Sequence, residues 1–375
     1  MARLLQYRRT MPCAHPSKPF RSIASGGGFS LPVLDLSPFM GPGFGETDRI
    51  EAARALDDAC SSVGFFYLEG HGIVSEEIEH LHRLAKQFFS LPTAVKEEIA
   101  MSGALTGRGY QRLGENVTLQ MRDWQEAIDF FAEIPAEAID LQHFGQKPNV
   151  NMGSQQIDQL RRFVQARNLW PSEPPEFRAA AEAYFARVSE VGNALMRAMA
   201  VGLGLPEHFF DSVTDRSFWC VRVIGYPALH REQLNLSCGE HTDYGCWTIL
   251  AQDETPDALE VQLPGGHWEK VQPRPGAFVV NLGDMLSVWT QGRYVATRHR
   301  VRQTAGDYRT SIAFFYEPNF DAVIRPLDLS PLSGWQAIEH RPVASTEPLQ
   351  RGLAGQELIY GEHLFAKVSS NFDFE

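Results

Sequence analysis

Cysteine is scarce: there are five in 375 residues, Cys13, Cys60, Cys220, Cys238 and Cys246, and no C-x-x-C pair. A set so scattered and odd in number excludes a disulfide framework or a zinc ribbon and fits a reducing compartment. No apolar run approaches the roughly 18 residues a membrane span needs, so a soluble chain with no membrane partner is expected. Net positive charge is lacking as well. Lys plus Arg at 34 against Asp plus Glu at 46 gives -12, which repels a phosphate backbone and argues against nucleic acid as a partner. There is no internal repeat and no G-x-G-x-x-G fingerprint; Gly41-Pro42-Gly43-Phe44-Gly45 has no strand-to-helix setting and reads as a loop. Acidic residues are missing before Asp35, where Arg3, Arg8, Arg9, Lys18 and Arg21 stand. That is the pattern of an organelle transit peptide or of a disordered basic tail over 1–30, so the expected location is intracellular: cytoplasmic, or organellar if the segment is a targeting signal.

What is present is apolar mass. Hydrophobic residues at 43% and aromatics at 11% supply a sizeable core. Glu46 to Ser62 reads as a helix, Gly64 to Leu68 as a buried strand, and Ser75 opens a helix that Pro92 stops. Phe177, Ala181, Tyr184, Val188, Val191, Leu195 and Ala198 recur at steps of three and four and predict a long scaffold helix. From Phe218 the chain turns to short β-rich runs: Trp219 to Ile224, Trp247 to Ala251, Leu259 to Leu263, Trp268 to Val271, Ala277 to Leu282 and Ser311 to Tyr316. Pro264-Gly265-Gly266 suits a hairpin turn and Pro275-Gly276 a type II turn, so the second half favours a sandwich or barrel.

Among twelve histidines, only His241 has an aspartate two places on, in Gly239-Glu240-His241-Thr242-Asp243-Tyr244-Gly245. Residues two apart on an extended segment face the same way, so His241 and Asp243 are placed to share an ion. Alone the pair is a weak signal. His299, after a β-rich stretch long enough to turn back, completes two histidines and a carboxylate, the facial set of non-haem Fe(II) oxygenases, which leaves three coordination positions open. Ten residues later Arg309 and Ser311 share a strand face, a guanidinium and a hydroxyl suited to a carboxylate. His230-Arg231-Glu232 and His267-Trp268-Glu269 repeat the spacing but read as surface features; Cys238 and Cys246 read as buried thiols, His71 as structural, and Tyr360 to His363 as packing or a surface helix feature.

At these residues the sequence resembles the 2-oxoglutarate and Fe(II)-dependent dioxygenase superfamily, in its isopenicillin N synthase-like branch. Val279-Val280-Asn281-Leu282-Gly283-Asp284, Arg222-Val223-Ile224-Gly225-Tyr226-Pro227, Gly64-Phe65-Phe66-Tyr67 with His71-Gly72, and Phe88-Phe89-Ser90-Leu91-Pro92 carry the likeness, which runs from about Leu31 to His363. The resemblance implies a mainly β, double-stranded β-helix (jelly-roll) core with an α-rich N-terminal part: 31–215 α-rich, 216–320 the jelly roll, 321–375 a C-terminal extension packing on it. It implies that His241, Asp243 and His299 bind Fe(II), that Arg309 and Ser311 hold the far carboxylate of 2-oxoglutarate, and that Tyr226 lies near the same co-substrate. It also implies O2 as co-substrate, oxidation of a small-molecule substrate with release of succinate and CO2, hydroxylation as the default outcome, and a monomer. Tyr110, Asn116 and Thr118, from a polar segment matching the substrate loop of related enzymes, and Phe314 from the barrel are the candidate substrate contacts. The departure is Ile224, where many members carry an asparagine. That keeps open an oxidase of the same fold that does not use 2-oxoglutarate; a zinc hydrolase and a non-catalytic ligand-binding relative stand further off.

Overall fold

The strongest periodic signal forms the longest element. Phe177–Gly202 is one helix, and all seven residues of the expected stripe are buried. Each large side chain on it contributes on the order of 1.5 to 3 kcal/mol relative to exposure. Ser75–Phe89 is also a helix, with Leu81, Leu84, Ala85 and Phe88 buried. Val74 is its N-cap and Ser75 its first helical residue, while Glu76 and Glu77 place negative charge at the positive end of the dipole.

The computed structural model describes residues 29–101, 106–118, 121–141, 144, 154–228, 237–302, 308–329 and 357–371. The expected tail over 1–30 lies outside them, apart from Phe29 and Ser30, as does His230. Two sheets make the framework. The larger has eight strands in the order Val33–Asp35, Phe65–Glu69, Phe278–Leu282, Trp247–Gln252, Arg309–Tyr316, Cys220–Tyr226, Glu126–Phe131, Gly109–Gln111. The smaller runs Trp268–Val271, Leu259–Gln262, His299–Val301, Cys238–His241. Long connections between non-consecutive antiparallel strands give the jelly-roll arrangement that the second half of the sequence implied. The N-terminal part is not confined to helices, since it supplies two strands at each end of the large sheet.

Turn chemistry fixes the registers. Trp268 pairs with Gln262 across Pro264-Gly265-Gly266, both glycines at positive φ. At Pro275-Gly276, the Ala277 amide donates to Arg274 O at 3.2 Å with Gly276 at φ 73°, the positive angle a type II turn requires and a side chain resists. One face of the large sheet packs on the helices. Thr310, Ile312, Phe314 and Tyr316 are fully buried there, and the indole of Trp247 donates to Met196 Sδ of the long helix. The other face looks into the barrel. At the C-terminus Leu358–Ile359 pairs with Val323–Ile324, and the helix Tyr360–Asn371 seats Tyr360, Leu364 and Phe365 in the core.

Candidate active site

His299 and His241 are direct partners on neighbouring antiparallel strands. Paired residues project from the same face, and the two rings stand 4.3 Å apart. The strand stops at His241, so Asp243 arrives from the turn beyond it. Asp243 Oδ1 lies 3.5 Å from His241 Nε2 and 3.7 Å from His299 Nε2. Ligand atoms of all three lie within 4.8 Å of one another. Each imidazole is oriented from behind: Nδ1 of His241 is 2.8 Å from Gly239 O, and Nδ1 of His299 is 3.2 Å from Thr297 O. A carbonyl only accepts, so each Nδ1 carries a proton and Nε2 is the nitrogen left to take a metal. Asp243 Oδ2 accepts from Asn281 Nδ2 at 2.7 Å and from the Thr248 hydroxyl, which leaves Oδ1 to face the histidines. Burial works against that charge, but His299, His241 and Thr248 together hold Asp243 well below the usual carboxylate range. Burial lowers His299 to about 4, a neutral imidazole at pH 7, and the Phe65 ring stands edge-on to it at 5.3 Å.

The barrel face continues along Arg309–Tyr316. Ser311 is opposite Ile224 and Gln252, while Phe315 is opposite Cys220 and Thr248, the residue that ties Asp243. Positions 309, 311, 313 and 315 therefore share the face of the large sheet that is turned toward the triad. Arg309 is 1% exposed, its guanidinium lies 4.6 Å over the Tyr226 ring, and its Nε and Nη1 are buried with no hydrogen-bond partner. Ala127, Ile224, Tyr226, Ala258 and Val301 form a separate small apolar cluster between the sheets. Next along the face, opposite Ala313, is Arg222, whose Nε and Nη2 both reach Asp129 at 2.7 Å. Gln111 donates to the same carboxylate at 2.6 Å. Leu250 and Phe315 point inward yet are only half-buried, which marks open space beside the triad.

Residues 31–173 match the family model of the N-terminal region of non-haem dioxygenases in morphine synthesis, and residues 217–318 match that of the 2OG-Fe(II) oxygenase superfamily. The chain is 37% identical to homoarginine-6-hydroxylase 2-ODD-233 of Oryza sativa subsp. japonica, over 92% of this chain and 98% of the relative. The chain belongs to the 2OG-Fe(II) oxygenase superfamily. A homoarginine-6-hydroxylase of Arabidopsis thaliana is 36% identical over the same shares. Among solved structures, a full-length Neurospora crassa protein in complex with alpha-KG and thymine aligns with a TM-score of 0.70 at 25% identity, covering 94% of this chain and 99% of that one. The protein is thus a 2-oxoglutarate and Fe(II)-dependent dioxygenase, with O2 as second co-substrate. Its residues fit both groups. Two imidazole nitrogens and a carboxylate oxygen on one side make the donor set of a non-haem Fe(II) oxygenase. A buried guanidinium with two orphaned nitrogens is a costly state that an entering carboxylate relieves.

Of the four candidate substrate contacts, two stand near the triad. Asn116 and Thr118 both donate to Asp123 Oδ2, Thr118 at 2.7 Å, and Asp123 Oδ1 accepts from the Gly239 amide at 2.9 Å beside His241. Tyr110 and Phe314 are corrected by strand alternation. Phe314 follows Ala313 and precedes Phe315, so it points away from the barrel and packs on Trp219 at 5.6 Å. Tyr110 pairs with Ile128 on the same outward face, meets the Phe88 ring at 5.8 Å and donates to Glu126 at 2.6 Å. Gln111, Ala313 and Phe315 occupy the barrel side instead. Cys238 Sγ is 3.8 Å from His241 Nδ1, the nitrogen turned from the other ligands, and burial pushes the Cys246 thiol up; neither joins the ligand set. His71 is structural, with Nε2 3.1 Å from Gly276 O, and His267 lies exposed 3.9 Å from Glu269. Sequence reading missed Thr248, Asn281, Asp123 and Asp129. The first two carried a signal, since each is a polar residue at an inward position of an otherwise apolar strand; the aspartates carried none.

Proposed function

We propose that His241, Asp243 and His299 hold the iron, that Arg309, Ser311 and Tyr226 bind the far carboxylate of 2-oxoglutarate, and that the primary substrate lies over Arg222, Ala313 and Phe315. The observation that carries this reading is a buried, unsatisfied arginine on the barrel-facing side of the large sheet, beside a triad carried by the small sheet and the turn after it. Iron with 2-oxoglutarate, when bound, supplies O2 activation for oxidation of a substrate C–H bond, the co-substrate leaving as succinate and CO2.

The protein's part is orientation and exclusion of water. Thr248 and Asn281 fix which oxygen of Asp243 faces the ion, and the two backbone carbonyls fix both imidazoles. Ile224, opposite Ser311, contributes apolar wall to the co-substrate chamber rather than a polar contact; Arg309 and Ser311 suffice for the carboxylate. The reaction is hydroxylation of a small molecule. Homoarginine is the first compound to test, on the strength of the rice and Arabidopsis relatives, and Asn116, Thr118 and Gln111 border the same space. A monomer in a compartment that keeps thiols reduced fits the four described cysteines, all free, and a net charge of -12 fits no nucleic-acid role.

The test is anaerobic addition of Fe(II) and 2-oxoglutarate, read by the visible chelate absorption, then succinate release on admitting air. His241→Ala, Asp243→Ala and His299→Ala remove both signals in a folded protein. A triad variant that keeps iron and near-normal turnover strikes that residue from the site.

A further inference from the structure

One buried carboxylate has no task in the scheme above. Glu317 follows Arg309–Tyr316 at even spacing from Arg309, Ser311, Ala313 and Phe315, so it extends the barrel-facing row past the triad. It is 4% exposed, and its Oε2 is buried with no hydrogen-bond partner. Among the described residues no cation pairs with it. Arg222 is clamped by Asp129, and Arg108 donates to Thr106 O and Phe163 O among the rings of Phe131, Phe163 and Phe218. The carboxylate presses against the turn that carries Asp243: a Cβ on Gly245 would collide with Glu317 Oε1 and Oε2, so only glycine admits it there. Burial pushes the Glu317 carboxyl up to about 8, against the nearby Tyr360 hydroxyl, and Asp243 and Asp284 add to the rise. A carboxyl walled in by other carboxylates is held as the neutral acid in the free protein, and an arriving cation draws it into its charged form.

We propose that Glu317 binds the cationic end of the primary substrate, an amino acid whose side chain ends in a guanidinium or ammonium, with Arg222 at the opposite pole taking its carboxylate. The proposal rests on the iron and 2-oxoglutarate assignments above. The spacing suits it. Arg222 is opposite Ala313, and Ala313 to Glu317 is four residue steps, about 14 Å of backbone at roughly 3.4 Å each. Inward-reaching side chains shorten that span to the length of an extended basic amino acid. Thr248, which ties Asp243, is opposite Phe315, midway between the poles, so the oxidised carbon lies within the substrate's aliphatic chain.

The experiment compares homoarginine with homocitrulline, its neutral ureido isostere, in wild type, Glu317→Gln and Glu317→Asp, reading substrate-stimulated succinate formation under steady-state conditions. Wild type is expected to prefer homoarginine by at least about tenfold in kcat/KM. Glu317→Gln raises KM for homoarginine roughly ten- to a hundredfold, leaves homocitrulline and the KM for 2-oxoglutarate unchanged, and Glu317→Asp restores part of the preference. Three results overturn the proposal while the assignments above stand: equal use of both compounds by wild type, discrimination that survives Glu317→Gln, or no stimulation by homoarginine, arginine or lysine in an enzyme that forms the chelate band. Absence of the chelate band itself defeats the assignments and this proposal with them. The wild-type comparison decides even if the variants do not fold.

Discussion

Replacing Arg309 by methionine separates binding from stability in an unusual direction. A buried arginine ordinarily anchors structure, so its removal is expected to destabilise. Here the guanidinium is 1% exposed with Nε and Nη1 unpaired, so the free protein already bears the desolvation of a charge with little return. Methionine removes that penalty, which is several kcal/mol for an uncompensated ion. The loss to set against it is the stacking on Tyr226 at 4.6 Å, about 0.5 to 2 kcal/mol. Desolvation outweighs stacking, and the cofactor-free variant should melt no lower than wild type. Binding moves the other way. Two charge-assisted hydrogen bonds to a carboxylate are worth about 1.5 kcal/mol each at the low end, so the Kd for 2-oxoglutarate rises roughly 150-fold. Thermal melts without ligand and an anaerobic titration of the chelate band measure the two halves. A Kd within threefold of wild type, or a loss of more than about 2 kcal/mol in the free protein, refutes the reasoning.

Ser311→Ala removes one neutral donor from the same group and should raise the KM for 2-oxoglutarate about fivefold, well short of the Arg309 effect; equal effects would mean that the two do not share a carboxylate. Asn281→Leu frees Asp243 Oδ2 and should weaken Fe(II) binding by about 10- to 100-fold in equilibrium dialysis, with the KM for 2-oxoglutarate unchanged at saturating iron. His82 supplies a pH signature. Burial lowers it to about 4, and its Nδ1 is 2.9 Å from Thr310 Oγ1. Because the folded value is depressed below the unfolded 6.5, the unfolded chain binds more protons between the two. The stability is therefore present above pH 6.5 and lost as pH falls to about 4, by about 3 kcal/mol in all. His82→Gln should flatten the denaturation midpoint against pH across that window, and an unchanged slope assigns the acid sensitivity elsewhere.

Much of this was legible because chemistry and periodicity coincide in the sequence. The helix Phe177–Gly202 announces itself by its apolar stripe, and the pair His241 and Asp243 by a spacing that a strand end brings to one side. What the sequence hides is partnership across strands. Nothing local to Asp123 distinguishes it from a solvated aspartate; its burial and its bonds to Thr118, Asn116 and the Gly239 amide exist only once Cys238–His241 lies beside that loop. Asp129 acquires meaning only through register with Arg222. Phe314 and Tyr110 show the opposite error, in which plausible residue type overrode parity. Arg309 and Ser311 already fixed the inward positions of that strand as the odd ones, and Phe314 is even.

That parity has a mechanistic consequence. On Arg309–Tyr316, residues 309 and 311 are the proposed co-substrate contacts, 313 and 315 flank the triad, and Glu317 beyond them meets the turn at Gly245. Thr310, Ile312, Phe314 and Tyr316 turn the other way; Thr310 meets His82, and Tyr316 bonds Asn193 of the long helix. A slip of one residue in this strand would carry Arg309 and Ser311 into the helical core and the strand's packing side chains into the barrel. The apolar contacts of the outward face, far too costly to invert, therefore hold the register on which the inward chemistry depends. The scaffold helix serves the site without touching it, because it determines which residues of this strand face the triad.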